Sequence, residues 1–400
     1  MKSISMTSGV TPWLLLTSCL TVLASAILVP ALPAMSDFYQ AYEDAEFWSK
    51  LVVSMPGLSI ALVAPLVGRI IDRVEVKPWL LTAILFFAML GISGWVVSHS
   101  LWWLLATRFV LGIAVAVIMV SVSVIAGRLY SGPLLGTYMG WQAALGSVAG
   151  VVFLMVGGVI AELHWQSPFL LYALALILIP GLLVKLNQAT LEPPSSVESA
   201  HSSTSQLPKS AVLGCSALAF VELIFLNLIP LQFPFHVQSL ASLSLTATGF
   251  WLALIFTVVA VVSFFYDKIQ RRVSYFGIHI WGYLAIAMGL QLAASTNNLY
   301  GVIAGYLVMA VGFGLIRPNL IMWLFSLVPP AQRGQAMGWL TSSFFVAQFL
   351  SPVLFQPVLQ LLGISGMLWV ASVLAILVAL ILGVSGHQQK TKITGKDVKA

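Results

Sequence analysis

Gly136-Thr137-Tyr138-Met139-Gly140-Trp141 returns 198 residues later as Gly334-Gln335-Ala336-Met337-Gly338-Trp339. At the same offset Ser167-Pro168-Phe169-Leu170 is answered by Ser365-Gly366-Met367-Leu368. Asp72, Arg73 and Lys77 are matched by Asp267, Lys268 and Arg272 at an offset of 195. Each hexapeptide opens a long apolar run, so the chain reads as two halves of one design. Between them residues 187–209 (NQATLEPPSSVESAHSSTSQLPK) are polar and rich in Ser and Pro, the composition of a linker.

Composition says what surrounds these halves. Hydrophobic residues make up 60% of the 400 and charged residues 8%, against roughly 45–50% and about 25% in soluble globular proteins. Thirty charged side chains cannot cover a soluble protein of this size without large exposed apolar patches. A soluble enzyme and a disordered chain are both excluded, and lipid becomes the main solvent. A membrane helix needs about 20 apolar residues. Twelve stretches meet that length: 12–34, 48–68, 79–98, 102–125, 138–160, 167–186, 210–234, 245–266, 276–295, 299–325, 335–357 and 364–385. The first is read as a retained span rather than a cleaved leader. Gly146-x-x-x-Gly150 and Gly301-x-x-x-Gly305 suggest close helix packing.

The resulting expectation is an all-α membrane protein with an N-terminal six-helix bundle (1–186), a linker (187–209), a C-terminal six-helix bundle (210–386) and a basic tail (387–400). The net charge is +6. The basic residues lie between apolar runs, so they set orientation rather than bind nucleic acid. With the N-terminus cytoplasmic, Lys50 alone among the loop Lys and Arg falls outside. Both termini and the linker are therefore expected in the cytoplasm and the chain in the inner membrane. Two like halves imply a pseudo-two-fold axis along the membrane normal, with a substrate site near the midplane.

The motifs carry a resemblance. Gly68-Arg69-Ile70-Ile71-Asp72-Arg73-Val74-Glu75-Val76-Lys77 is similar to the loop 2–3 signature of the major facilitator superfamily, with Glu75 and Val76 departing from it. Arg108 and Gly112 fit its span 4 signature, and Pro30 and Pro33 the P-x-x-P ending of span 1. His164-Trp165-Gln166-Ser167-Pro168-Phe169 resembles the opening of its sixth helix, with Gln166 in place of Arg. The closest likeness is to the twelve-helix drug:proton antiporter branch, although Phe153-Leu154 replace the usual Gly-Pro of its span 5 motif. The resemblance implies a cytoplasmic gate built from Gly68, Asp72, Arg73 and Lys77, with Asp267 and Arg333 as counterparts.

Charges at membrane depth cost about 2.5–3.5 kcal/mol on insertion scales, which makes each a functional candidate. Glu222, near the middle of span 7, reads as a proton carrier, a holder of a cationic substrate, or one half of a structural pair. Arg108 in span 4 reads, by resemblance, as part of proton coupling, or as a helix-to-helix hydrogen-bond donor. Arg317, beside Pro318 and Asn319, suits a substrate carboxylate or phosphate, or snorkels to the surface. Asp37 is a second proton site or a plain interfacial carboxylate. Trp141, Gln142, Asn227, Gln232, Trp251, Asn319, Trp323 and Gln348 are candidate cavity residues. Trp48, Trp79, Trp102 and Trp103 look like an interfacial belt.

Cys19 and Cys215 sit in apolar runs and read as small hydrophobes. The six histidines have no metal-ligand spacing, and no cofactor is indicated. No ATPase motif or catalytic set is present, so a gradient supplies the energy. The expected function is export of a small organic molecule, drug-like or metabolite, coupled to protons by alternating access in a monomer embedded in the bilayer. Multidrug efflux, export of an anionic metabolite such as a siderophore, and proton-coupled import remain open. A non-transporting receptor on the same fold fits less well, because no soluble sensory domain is visible.

Overall fold

The computed structural model describes residues 9–71, 74–130, 133–186, 208–329 and 332–397. Every regular element among them is a helix. The spans are α1 (Thr11–Phe38), α2 (Ala45–Ile71), α3 (Val76–Val97), α4 (Leu101–Leu129), α5 (Pro133–Leu163) and α6 (Ser167–Lys185). They continue as α7 (Lys209–Leu240), α8 (Leu245–Phe264), α9 (Tyr275–Ser295) and α10 (Leu299–Leu327). The last helical run, Arg333–Asp397, turns at Gly363, where φ is 66°. Only glycine enters that left-handed region freely, and the turn divides the run into α11 and α12. Twelve apolar helices result among the described residues, as the sequence predicts. Lipid rather than water faces them, so each span must satisfy its backbone internally, which a helix does.

The helices group into two units. Among the described residues, one takes those up to 186 together with Ser244–Ala253, and the other takes 208–243 with those from Leu254 onward. The Ser244–Ala253 segment, which opens α8, thus packs with the first unit. Their seam against α5 is made by glycine. A Cβ on Gly158 would lie 2.6 Å from Leu245 O, and one on Gly249 would lie 2.5 Å from Leu154 O. One turn on, the Glu162 carboxylate accepts from the Thr246 backbone N–H at 3.0 Å and from its hydroxyl at 3.3 Å. A carboxylate is favoured there by the positive end of α8.

The close approaches differ from those expected at Gly146 and Gly150, whose nearest neighbours are only Val22 methyl groups at 3.9 and 3.4 Å. The intimate contact of α5 is two turns beyond Gly150, where a Cβ on Gly157 would lie 2.3 Å from Ile27 O. Gly305 does form such a seam, against Gly289 and Ala293 of α9.

Two helices near the candidate sites are irregular. α7 is interrupted at Asn227, whose side-chain amide donates to Leu223 O at 2.8 Å. α6 is wound as a tight 3-10 helix over Ser167–Ile177. Cys215 is buried in an apolar cluster with Val212, Leu320, Leu324 and Leu340, as a small hydrophobe should be.

Candidate functional site

Glu222 lies in α7 five residues before the Asn227 break and is 0% exposed. Neither of its carboxylate oxygens has a hydrogen-bond partner. Arg317 of α10 and Tyr283 of α9 are in electrostatic reach of it. Tyr283 is itself fully buried, and its hydroxyl is also unpartnered. Arg317 sets its guanidinium over the Phe344 ring of α11, 4.6 Å from the centroid, a contact worth about 0.5–2 kcal/mol. Glu222, Tyr283, Arg317 and Phe344 all belong to the second unit. A buried carboxyl group and a buried phenol thus lie near a partly buried guanidinium. A carboxylate left charged and without a hydrogen bond in such surroundings is costly.

Arg108, in the first unit, is buried as deeply but housed differently. Its Nη2 donates to Leu90 O at 2.8 Å and to Gly91 O at 3.3 Å. Its Cζ lies 5.0 Å from the Phe169 centroid and 5.2 Å from that of Tyr172, both of α6. Its Nε and Nη1 find no acceptor and rest against these rings. Gly91 and Gly94 of α3 make room for the rings, since a Cβ on either would collide with Tyr172 or Phe169. Arg108 thus ties α4 to α3 and α6.

A family model described as Major Facilitator Superfamily matches residues 14–280, more than half of the chain. The chain belongs to the major facilitator superfamily. It is a multi-pass membrane protein and a secondary transporter, and the family points to transport rather than catalysis. The tetracycline resistance protein, class B, of Escherichia coli is 29% identical over 163 residues, which cover 40% of this chain and 39% of that protein. Among solved structures, the human organic anion transporter MFSD10 (TETRAN) superposes with a TM-score of 0.67 at 20% identity, covering 94% of this chain and 99% of that one. A D-xylose–proton symporter gives 0.76 at 16% identity, covering 94% and 96%. At these identities the structures speak for the fold alone.

The other residues nominated from the facilitator motifs and the apolar runs are dispersed. Asp72 and Arg73 lie outside the described residues. Gly68 has open space beside it. Lys77 donates to Leu183 O at 2.9 Å and Leu186 O at 2.6 Å, fastening α3 to the C-terminal end of α6, where a cation is favoured. Asp267 is exposed and pairs with Arg271 at 2.7 Å. Arg333 donates to Phe325 O at 3.1 Å and covers that ring. Asp37 is exposed at the end of α1.

Asn319 has its polar atoms engaged among its neighbours. It donates to Tyr275 O at 2.8 Å and to His279 Nδ1 at 2.5 Å, and it accepts from the Tyr266 hydroxyl at 3.0 Å. Burial, with help from Tyr275 and Asp267, pushes the Tyr266 phenol up to about 12, so it keeps its proton for that bond. Trp323 packs on Tyr275, Phe276 and His279. Trp141 is exposed, while Gln142, Asn227, Trp251 and Gln348 are partly buried. Gln166, standing where the facilitator pattern has Arg, donates to the Ser98 hydroxyl and so ties the start of α6 to the end of α3. An apolar groove of about 420 Å³ between α3 and α4, lined by Trp79, Thr82, Phe86 and Val110, includes none of the nominated residues.

Two charges escaped the sequence reading. Lys50, counted there as a loop charge, is fully buried in α2 and pairs with Glu46 one turn away at 2.5 Å. The i, i+4 acid–base spacing inside an apolar run was the available signal. Glu162 had none, because its partner is 84 residues away.

Proposed function

We propose that this protein exports a small organic compound from the cytoplasm across the inner membrane, driven by the proton gradient, with both termini and the linker cytoplasmic. The observation that carries the reading is Glu222: a fully buried carboxyl group with no hydrogen-bond partner, in reach of a membrane arginine. Such a group is suited to exchanging a proton for a substrate cation, and either occupant relieves the same unpaired charge. Alternating access of two six-helix bundles about a midplane site then couples the two fluxes. The placement of Lys and Arg supports the orientation, and the partial likeness to a tetracycline resistance protein supports export. Arg108, held by backbone carbonyls and rings, serves in this reading as a fixed charge that steadies the first bundle during the proton cycle.

A second reading has the substrate as an anion. Arg317, held over the Phe344 ring, favours it, because a guanidinium presents a planar fork to carboxylates. The test is uptake into everted membrane vesicles, with and without an uncoupler, of ethidium and of a carboxylate-rich siderophore. Uncoupler-sensitive uptake of ethidium that E222Q abolishes supports the first reading. Siderophore uptake that R317E abolishes supports the second. Full uncoupler-sensitive transport by E222Q removes Glu222 from the mechanism.

A further inference from the structure

Arg317 stands beside a break in its own helix. Pro318 has no N–H, so the carbonyl of Gly314 loses its bond within α10. Another helix supplies the donor. The hydroxyl of Ser263, near the end of α8, donates to Gly314 O at 2.9 Å. Gly314 lets α8 come that close, since a Cβ there would lie 2.8 Å from Val259 O. Proline breaks commonly kink a helix, and this one is bridged from outside.

Just past the break α10 is gripped again. Asn319 is 0% exposed, and its amide reaches Tyr275 O, His279 Nδ1 and the Tyr266 hydroxyl at once. An amide with its nitrogen and its oxygen both engaged is not free to take a substrate. Trp323, one turn on and on the same face, stacks on Tyr275 at 6.3 Å between centroids and meets Phe276 at 4.6 Å. The start of α9 and the turn at Tyr266–Gln270 therefore hold this face of α10. Asn319 follows Arg317 by two residues, about 200° around a helix, so the gripped face is turned away from Arg317. On the other face the guanidinium lies over Phe344, in electrostatic reach of Glu222. A leucine would fill the Asn319 position at less cost in desolvation. What the amide adds is direction, because satisfied buried hydrogen bonds select one arrangement where apolar packing allows several.

We infer that Asn319 and Ser263 are positioning residues for Arg317, which by holding α10 on either side of the Pro318 break set where the guanidinium stands against Glu222. The inference rests on the reading of Glu222 and Arg317 as the working site. Neither Asn319 nor Ser263 needs to touch a substrate or a proton in transit. The other titratable group within reach of Glu222 is Tyr283 of α9. α8 supplies none between Leu245 and Phe264, nor do α11 and α12 between Gly334 and Ser385. On α7 itself the nearest are Cys215 and His236, about two and four turns away.

The experiment follows Glu222 itself and needs no substrate. Full-length protein is reconstituted in lipid and titrated with pH while the infrared stretch of the protonated carboxyl group is recorded. Wild type shows a band that E222Q lacks. R317Q moves the pH at which that band is half-formed. N319L moves it to the R317Q value, and N319L combined with R317Q moves it no further. S263A moves it part of the way, whereas S263T, which keeps the hydroxyl, leaves it at the wild-type value. The serine pair carries the test alone if N319L does not fold. A residue that only supported the fold would lower thermal survival and leave this midpoint where it was. A midpoint that R317Q moves, but that N319L and S263A leave at the wild-type value, overturns the positioning role and leaves the Glu222–Arg317 reading intact. A midpoint that R317Q does not move overturns the coupling of Arg317 to Glu222, and the inference with it. A band that persists in E222Q overturns the Glu222 reading itself.

Discussion

Arg108 and Glu222 are both completely buried charges in a membrane protein, and their surroundings could hardly be less alike. Arg108 is given two carbonyls and two ring faces, and its neighbours contain glycines that let those rings in. Glu222 is given nothing to hold. A fixed charge needs permanent acceptors. A charge that comes and goes is served badly by them, because every standing bond must be broken on each cycle. The contrast is what the proposed division of labour rests on, a residue that holds helices and a residue that exchanges its charge, and it makes no reference to either one's position in a motif.

Reversing the held charge is the harshest test of this contrast. R108E sets a carboxylate against the carbonyls of Leu90 and Gly91 and removes both ring contacts. A loss of about 3–5 kcal/mol is expected, as for other broken buried charge sites, read as a fall in the amount of protein surviving a thermal step in detergent. E222Q should do the opposite: abolish proton-driven transport while leaving the melting temperature where it was, since no bond is lost. A melting temperature that fell with E222Q would mean that the carboxyl group is structural.

Milder changes sharpen the same line. G91A places a methyl group about where the Tyr172 side chain begins, 2.2 Å from its Cβ. Forcing that ring away from Arg108 should cost about 1–3 kcal/mol, as overpacking generally does, measured by the same thermal survival. R108K keeps the charge but not the flat fork and should cost less, about 1 kcal/mol. D37N is expected to be nearly silent, within about 0.5 kcal/mol in stability and with uncoupler-sensitive transport retained, because that carboxylate is exposed.

Much of the architecture was legible in the chain. The hexapeptide repeat, the polar linker and the twelve apolar runs are local signals, and the break between the last two spans falls at Gly363, within the stretch left between them. Glu222, Arg108 and Arg317 announced themselves because charge in an apolar run is rare. Partners were not legible. Gly157 and Gly158 carry the close contacts of α5 rather than the better-patterned Gly146 and Gly150, since which face of a helix meets a backbone is decided by its neighbours. His236 and Tyr306 are unremarkable in the sequence. They meet, 6.2 Å between ring centroids, only because the helices that carry them pack together, and no spacing rule reports a meeting 70 residues apart.

The packing of Ser244–Ala253 against α5 has a bearing on how the protein is made. The first unit is not a contiguous stretch of chain. Its surface around Gly158 and Glu162 stays open until the ribosome has produced the linker, all of α7 and the first turns of α8. The nascent chain therefore has to keep about 250 residues in waiting before that unit can finish, and a fragment ending at the linker would begin life with an uncovered glycine face. Co-expressing the two halves as separate polypeptides cut within 187–209 would then assemble only if the second half delivered the start of α8 in time.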